Sequence, residues 1–160
     1  MSLTSIDKLG QSYDAVAAYV PAARRALTQF AQRAGADSEQ LDAIRLAASE
    51  AITNAVVHAY DGVAGRIHVS AALASGELWV LIADDGCGLQ VTANSPGLGA
   101  GLALISEVTD SFAIVKRSNG GTEVRMRFNL DAPPLPEERY SRGSNSSATS
   151  PASSSFSMTT

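Results

Sequence analysis

Between residues 16 and 34 apolar side chains recur at Val16, Val20, Ala23, Leu27, Phe30 and Ala31, the spacing of a helix buried along one stripe. Pro21 falls in the first turn, where its missing N–H is not needed, and Gly35 follows as a stop. A second helical pattern (Leu41, Ile44, Ala48, Ile52, Val56) begins after Asp37 or Ser38, either of which offers a capping oxygen, and runs to Tyr60. After the turn DGVAG the period shortens: Ile67, Val69 and Ala71 alternate with Arg66, His68 and Ser70, which predicts a half-buried strand over 66–73. ASGE marks a hairpin, and the apolar run LWVLIA (78–83) predicts a central strand. A loop rich in Gly, Asp and Ser over 84–99 leads to a short helix, GLALISEV, and two strands, 112–117 and 122–130, joined by the hairpin signal SNGG. This order predicts an α+β fold: a two-layer sandwich whose mostly antiparallel sheet is covered on one face by helices. Residues 1–15 precede that unit and hold a candidate edge strand.

Composition divides the chain. Residues 16–130 carry the patterned domain, long enough for a real core, whereas 131–160 form a Pro/Ser-rich tail. From Ser141 the tail reads SRGSNSSATSPASSSFSMTT, too poor in aliphatics to offset its ordering entropy, and disorder is expected there. With 12 basic and 16 acidic residues, a net charge of -4 and no Lys/Arg cluster, direct nucleic-acid binding has little electrostatic support. No apolar run has the length of a signal or a membrane span. Single Cys87 excludes an internal disulfide framework and fits a reducing compartment, so the expected location is cytoplasmic. Cys/His spacing of the structural-metal kind is absent.

Within the second helix, EAITNAVVHAY (50–60) places Glu50, Asn54 and His58 four residues apart, hence stacked along one edge. Ala47, Ala51, Ala55, Ile44, Ala59 and Ile52 border that edge, so the polar line adjoins a packed face. A carboxylate held there costs several kcal/mol unless it is paired or hydrated, and an ion, ordered water or polar ligand is expected beside Glu50. Three glycine clusters lie downstream: DDGCGL (84–89), GLGAGL (97–102) and GGT (120–122). Asp84 ends the apolar strand, where its carboxylate can accept from an exocyclic amine such as that of adenine. Gly86 and Gly88 are expected to turn with positive φ and lie flat against a ligand. GLGAGL precedes a helix, whose unpaired N–H groups suit phosphate.

In this order the segments resemble the N box (EAITNAVVHAY), the first glycine box (DDGCG), the second (GLGAGL) and the third (GGT) of the GHKL ATP-binding superfamily. The small size and the opening VPAARRAL most resemble the anti-sigma factor serine kinases within it. That resemblance implies two ligands, ATP and Mg2+. Asn54 would coordinate Mg2+, Asp84 would hold the adenine amino group with Thr122 in support through a hydroxyl or water contact, and Gly86 and Gly88 would lie against the base. Gly97, Gly99 and Gly101 would carry the lid and the phosphate-facing helix start, and Glu50 would be the general base. The implied protein partners are a sigma factor and its small antagonist, with no membrane; homodimerisation stays open. His58 takes no catalytic role in this reading.

The segment between the first two boxes, LQVTANSP, holds no Lys or Arg to steady a γ-phosphate, and Lys116 and Arg117 are expected to be solvated on a strand. Asp85 is read as a turn residue facing water, Cys87 as a space-filler, and Arg24 and Arg25 as either a partner-facing or a solvated helix surface. The leading function is therefore an ATP- and Mg2+-dependent anti-sigma factor with serine kinase activity toward an antagonist. The alternative is an ATP-binding regulatory module without phosphoryl transfer.

Overall fold

The computed structural model describes residues 8–60, 63–86 and 98–131. In chain order come β1 (Lys8–Asp14), a 3-10 turn (Ala17–Tyr19), α1 (Val20–Arg33), α2 (Ser38–His58), β2 (Arg66–Ala74), β3 (Glu77–Asp84), α3 (Leu98–Val108), β4 (Ser111–Lys116) and β5 (Thr122–Asn129). The strands form one sheet in the order β1-β2-β3-β5-β4, each neighbour antiparallel. β1 lies at one edge of the sheet, pairing Tyr13 with Ile67 and Asp14 with Arg66.

Local chemistry explains the helix limits. α1 has Pro at its start, and at its end Gly35, with φ 104°, donates to Gln32 O while the Ala36 N–H reaches Ala31 O, closing the orphan carbonyls. Asp37, not Ser38, caps α2: its Oδ1 accepts from the Gln40 N–H at 2.8 Å, and the Gln40 side chain accepts from the Asp37 N–H at 2.8 Å. Ser75 and Gly76 both have positive φ (52° and 76°), as a two-residue hairpin between right-twisted strands requires.

Leu27, Phe30, Ile44, Ile52, Ile67, Val69, Leu78, Val80, Ile82, Ile105, Val124, Met126 and Phe128 form the core between the helices and one sheet face. LWVLIA lies in the middle strand, but its two faces are not equally buried. Leu78, Val80 and Ile82 face the helices, whereas Trp79 is 37% exposed on the open face under the Arg127 guanidinium, 5.9 Å from the ring centroid. An antiparallel sheet covered on one face leaves every second residue of even an apolar strand to water. No helix among the described residues is long and apolar enough to cross a membrane. The tail beyond 131, residues 1–7, and Cys87, Gly88 and Gly97 lie outside the described residues.

Candidate functional site

The uninterrupted run of α2 carries Glu50, Asn54 and His58 at successive turns. Asn54 is buried at 6% exposure, and its Nδ2 has no hydrogen-bond partner among the described residues. Buried amides are nearly always paired, so an unpartnered one points to a missing group. Glu50 is half-buried and His58 is half-buried in the last turn.

The second glycine cluster meets this line. α3 begins at Leu98, inside GLGAGL and earlier than expected, with Gly99 in its first turn and Gly101 buried against α2. A Cβ on Gly101 would sit 2.8 Å from Glu50 Oε2 and 3.4 Å from Asn54 Nδ2. Tertiary packing of α3 on α2 overrides the poor helix propensity of glycine, whose missing side chain is what permits the approach.

Asp84 pairs in register with buried Ile67, so its side chain shares the helix-covered face. It is 2% exposed. Its Oδ1 accepts from the Gly86 N–H at 3.0 Å and from the Thr122 N–H at 3.4 Å. Support from buried Thr122 thus includes its backbone, a contact that a reading of its hydroxyl does not foresee. Gly86 departs from expectation in a different way. Among the described residues the glycines with positive φ are Gly35, Gly76 and Gly120. Gly86 is needed for closeness instead: a Cβ there would lie 2.0 Å from the carbonyl oxygen of Ala59, the C-cap of α2. Gly121 of the third cluster likewise packs on the Asp84 carbonyl, 2.0 Å from where its Cβ would be. Close contacts free of side chains therefore join the end of α2, the end of β3 and the β4–β5 hairpin.

Burial pushes the Asp84 carboxyl above the ordinary aspartate range; the Gly86 and Thr122 N–H groups oppose this, Asp85 adds to it and Arg117 opposes it. A raised value in the folded state means that Asp84 costs nothing below its unfolded value and weakens the fold as pH rises through the folded one. Asp85 behaves in the reverse sense, held low chiefly by its hydrogen bond with His68. Its contribution is present above the ordinary aspartate value and disappears as pH falls through the depressed one.

Asp85 is exposed, as expected of a turn residue facing water, but it is held by several partners, and Arg117 is half-buried and paired where a solvated side chain is expected. The Asp85 carboxylate meets His68 Nε2 at 2.6 Å, Arg117 Nη1 at 2.5 Å and Asn119 Nδ2 at 2.8 Å, and its N–H donates to the Tyr60 hydroxyl at 2.8 Å. Strand alternation carries the reason: Asp84 faces the helices, so the next residue faces the open side, where β2 presents His68. Lys116 is exposed as expected. Arg24 is half-buried and reaches Ser49 Oγ of α2 at 3.5 Å, a helix-to-helix contact, while Arg25 is exposed.

Among the described residues no cluster of three or more His, Cys, Asp or Glu side chains could hold a metal by itself. Mg2+ fits the donor set that is present, because it is bound through few protein oxygens and keeps phosphate and water ligands, and the buried amide of Asn54 offers one such oxygen.

A sequence profile described as histidine kinase-like ATPase domain matches residues 13–128. An anti-sigma F factor of Clostridium acetobutylicum is 26% identical over 116 residues, which cover 66% of this chain and 81% of that protein. A serine-protein kinase RsbW of Oceanobacillus iheyensis is 35% identical over 85 residues, covering 52% of this chain and 54% of that one. A crystal structure of the RsbU and RsbW domains of a Mycobacterium tuberculosis protein superposes with a TM-score of 0.62 at 29% identity. That match covers 77% of this chain and 32% of the longer solved one.

Proposed function

The chain belongs to the histidine kinase-like ATPase domain family, and from that premise we propose that it is an ATP- and Mg2+-dependent anti-sigma factor that also phosphorylates a serine on a small antagonist protein. The observation that carries this reading is the pair of buried polar groups, Asn54 at 6% exposure with an orphaned Nδ2 and Asp84 at 2%, which with Thr122 stand in a largely apolar interior. Asp84 accepts from the adenine amino group, and Asn54 holds Mg2+. When bound, Mg2+ supplies neutralisation of phosphate charge. Glu50 takes the proton from the attacking serine hydroxyl as its oxygen bonds to the γ-phosphorus, and the bond to ADP breaks. The names of the RsbW and anti-sigma F relatives support the choice of partner classes, a sigma factor and its antagonist.

One observation favours a second reading, an ATP-binding module that docks partners without phosphoryl transfer. LQVTANSP (89–96) contains no basic residue, and Arg117, the half-buried cation near Asp84, is engaged by Asp85 and by the Asp84 carbonyl. Two measurements on the full chain separate the readings. ATP with Mg2+ at a hundredfold excess over Kd stabilises the protein by about 2.7 kcal/mol, seen as a rise in melting temperature. Labelled ATP then places phosphate on a cognate antagonist. A melting rise with no label on the antagonist leaves the docking module; no rise at all ends both readings.

The charge on Asp84 gives a sharper expectation. Asp84→Asn removes the loss of stability on the alkaline side, so the ligand-free variant melts at the same or a higher temperature at neutral pH. Its ATP affinity falls about 10- to 100-fold, the worth of one charged hydrogen bond of about 1.5–3 kcal/mol. Because the parent must ionise a carboxyl whose value is raised, its ATP affinity declines on acidification earlier than an ordinary aspartate would allow. Calorimetric titration across pH shows a steeper acidic decline in the parent than in the variant.

A further inference from the structure

Directly after the candidate adenine contact stands Asp85, which four residues from three separate parts of the chain hold, three at its carboxylate and one at its N–H. His68 comes from β2, Arg117 and Asn119 from the β4–β5 hairpin, and Tyr60 from the residues just past α2. Each of these holds a second group as well. Arg117 Nη1 also donates to the Asp84 carbonyl at 3.0 Å, Asn119 Oδ1 accepts from the Gly121 N–H at 2.9 Å, and Tyr60 donates its hydroxyl to the Arg66 carbonyl. His68 Nδ1 lies 2.8 Å from Ser12 Oγ of β1, which brings the edge strand into the same network. Asp85 is exposed, and exposed pairs of this kind contribute little to stability. Their effect is geometric: with its carboxylate and its N–H both held, the backbone at Asp85 is restrained, next to Asp84, whose side chain lies on the opposite sheet face.

We propose that Asp85 is the positioning residue of base recognition, an anchor on the open face of the sheet that aims the Asp84 carboxylate on the buried face and thereby sets the discrimination of adenine from other purines. The inference rests on the nucleotide reading of Asp84. Loosening the anchor leaves the buried carboxylate in place but widens the range of directions it samples, so an acceptor matched to an exocyclic amine also tolerates a base that offers a carbonyl there.

The test uses the full chain at a temperature well below its melting point, so that a merely structural role for Asp85 would leave the affinity of the folded protein untouched. ATP and GTP dissociation constants are measured with Mg2+ for the parent, Asp85→Ala, Asp85→Asn and Arg117→Gln, with Asp42→Ala, which breaks an exposed ion pair to Arg45 on α2, as control. Asp85→Ala is expected to weaken ATP about tenfold and GTP less, lowering the ATP-over-GTP preference by a similar factor, with Asp85→Asn and Arg117→Gln intermediate and the control unchanged. If Asp85→Ala does not fold, Asp85→Asn, which keeps the size and most acceptor contacts, carries the measurement. An unchanged ATP constant and preference in the folded Asp85 variants overturns the positioning role while the nucleotide reading stands. Failure of the parent to bind ATP removes the nucleotide reading, and this inference with it.

Discussion

Gly86→Ala and Gly121→Ala are expected to be the most destabilising single-methyl changes in the domain. A Cβ at either position would stand 2.0 Å from a backbone carbonyl oxygen, that of Ala59 for Gly86 and that of Asp84 for Gly121, with the carbonyl carbons at 2.6 Å and 2.8 Å. Neither obstacle is the end of a flexible side chain that could swing away. Relief requires about an ångström of separation between the end of α2 and the loop after β3, or between that strand end and the β4–β5 hairpin. Overpacking of this kind costs about 3 kcal/mol or more, which lowers the melting temperature of a domain this size by roughly 10 °C or beyond. Gly10→Ala is the control: nothing lies within 4 Å of its Cβ, and its melting temperature should be unchanged. Thermal melts of the three variants decide the matter, and equal melting temperatures would mean that the close approaches at Gly86 and Gly121 are not what those glycines serve.

These two glycines also mark where reading the chain stops. Their clustering with Asp84 is visible as a motif, yet what each touches depends on packing between residues 27 and 37 positions apart, which no local period encodes. Helices α1 and α2, the β2–β3 hairpin and the final strand pair are legible because each has its own period and its own punctuation, such as the Asp37 and Gln40 capping box or the Ser75-Gly76 turn. The polar line of Glu50 and Asn54 is legible because the residues around it are apolar. The pairing of Arg117 and the partners of exposed Asp85 are missed in isolation because a charge on a strand or in a turn usually meets water alone. Only the register, which sets His68 beside Ala83, brings an acid, a histidine, an arginine and an asparagine to one place on the open face. The early start of α3 is hidden for a related reason: three glycines argue against a helix until α2 is there to pack against it.

Glu50→Gln is expected to cut phosphate transfer to the antagonist by about 10²- to 10⁴-fold, the usual worth of a positioned general base, while ATP affinity and sigma-factor binding stay near those of the parent. The amide has the size and the shape of the carboxylate, so the packing of Gly101 against Glu50 Oε2 survives and only the proton acceptor is lost. Glu50→Asp keeps the charge but withdraws it by one methylene, and displacement of about an ångström alone costs on the order of 10²-fold. Gly101→Ala approaches the same atom from the other side. Its Cβ would lie 2.8 Å from Oε2, the mobile end of a side chain, so the fold persists and the helix gains propensity while the carboxylate is pushed aside. Transfer by Gly101→Ala should therefore fall further than its ATP affinity. Single-turnover transfer of labelled phosphate, measured beside ATP titration for the three variants, reads both quantities. Transfer that survives undiminished in Glu50→Gln would assign the proton to another acceptor and leave Glu50 as a neighbour of the phosphates.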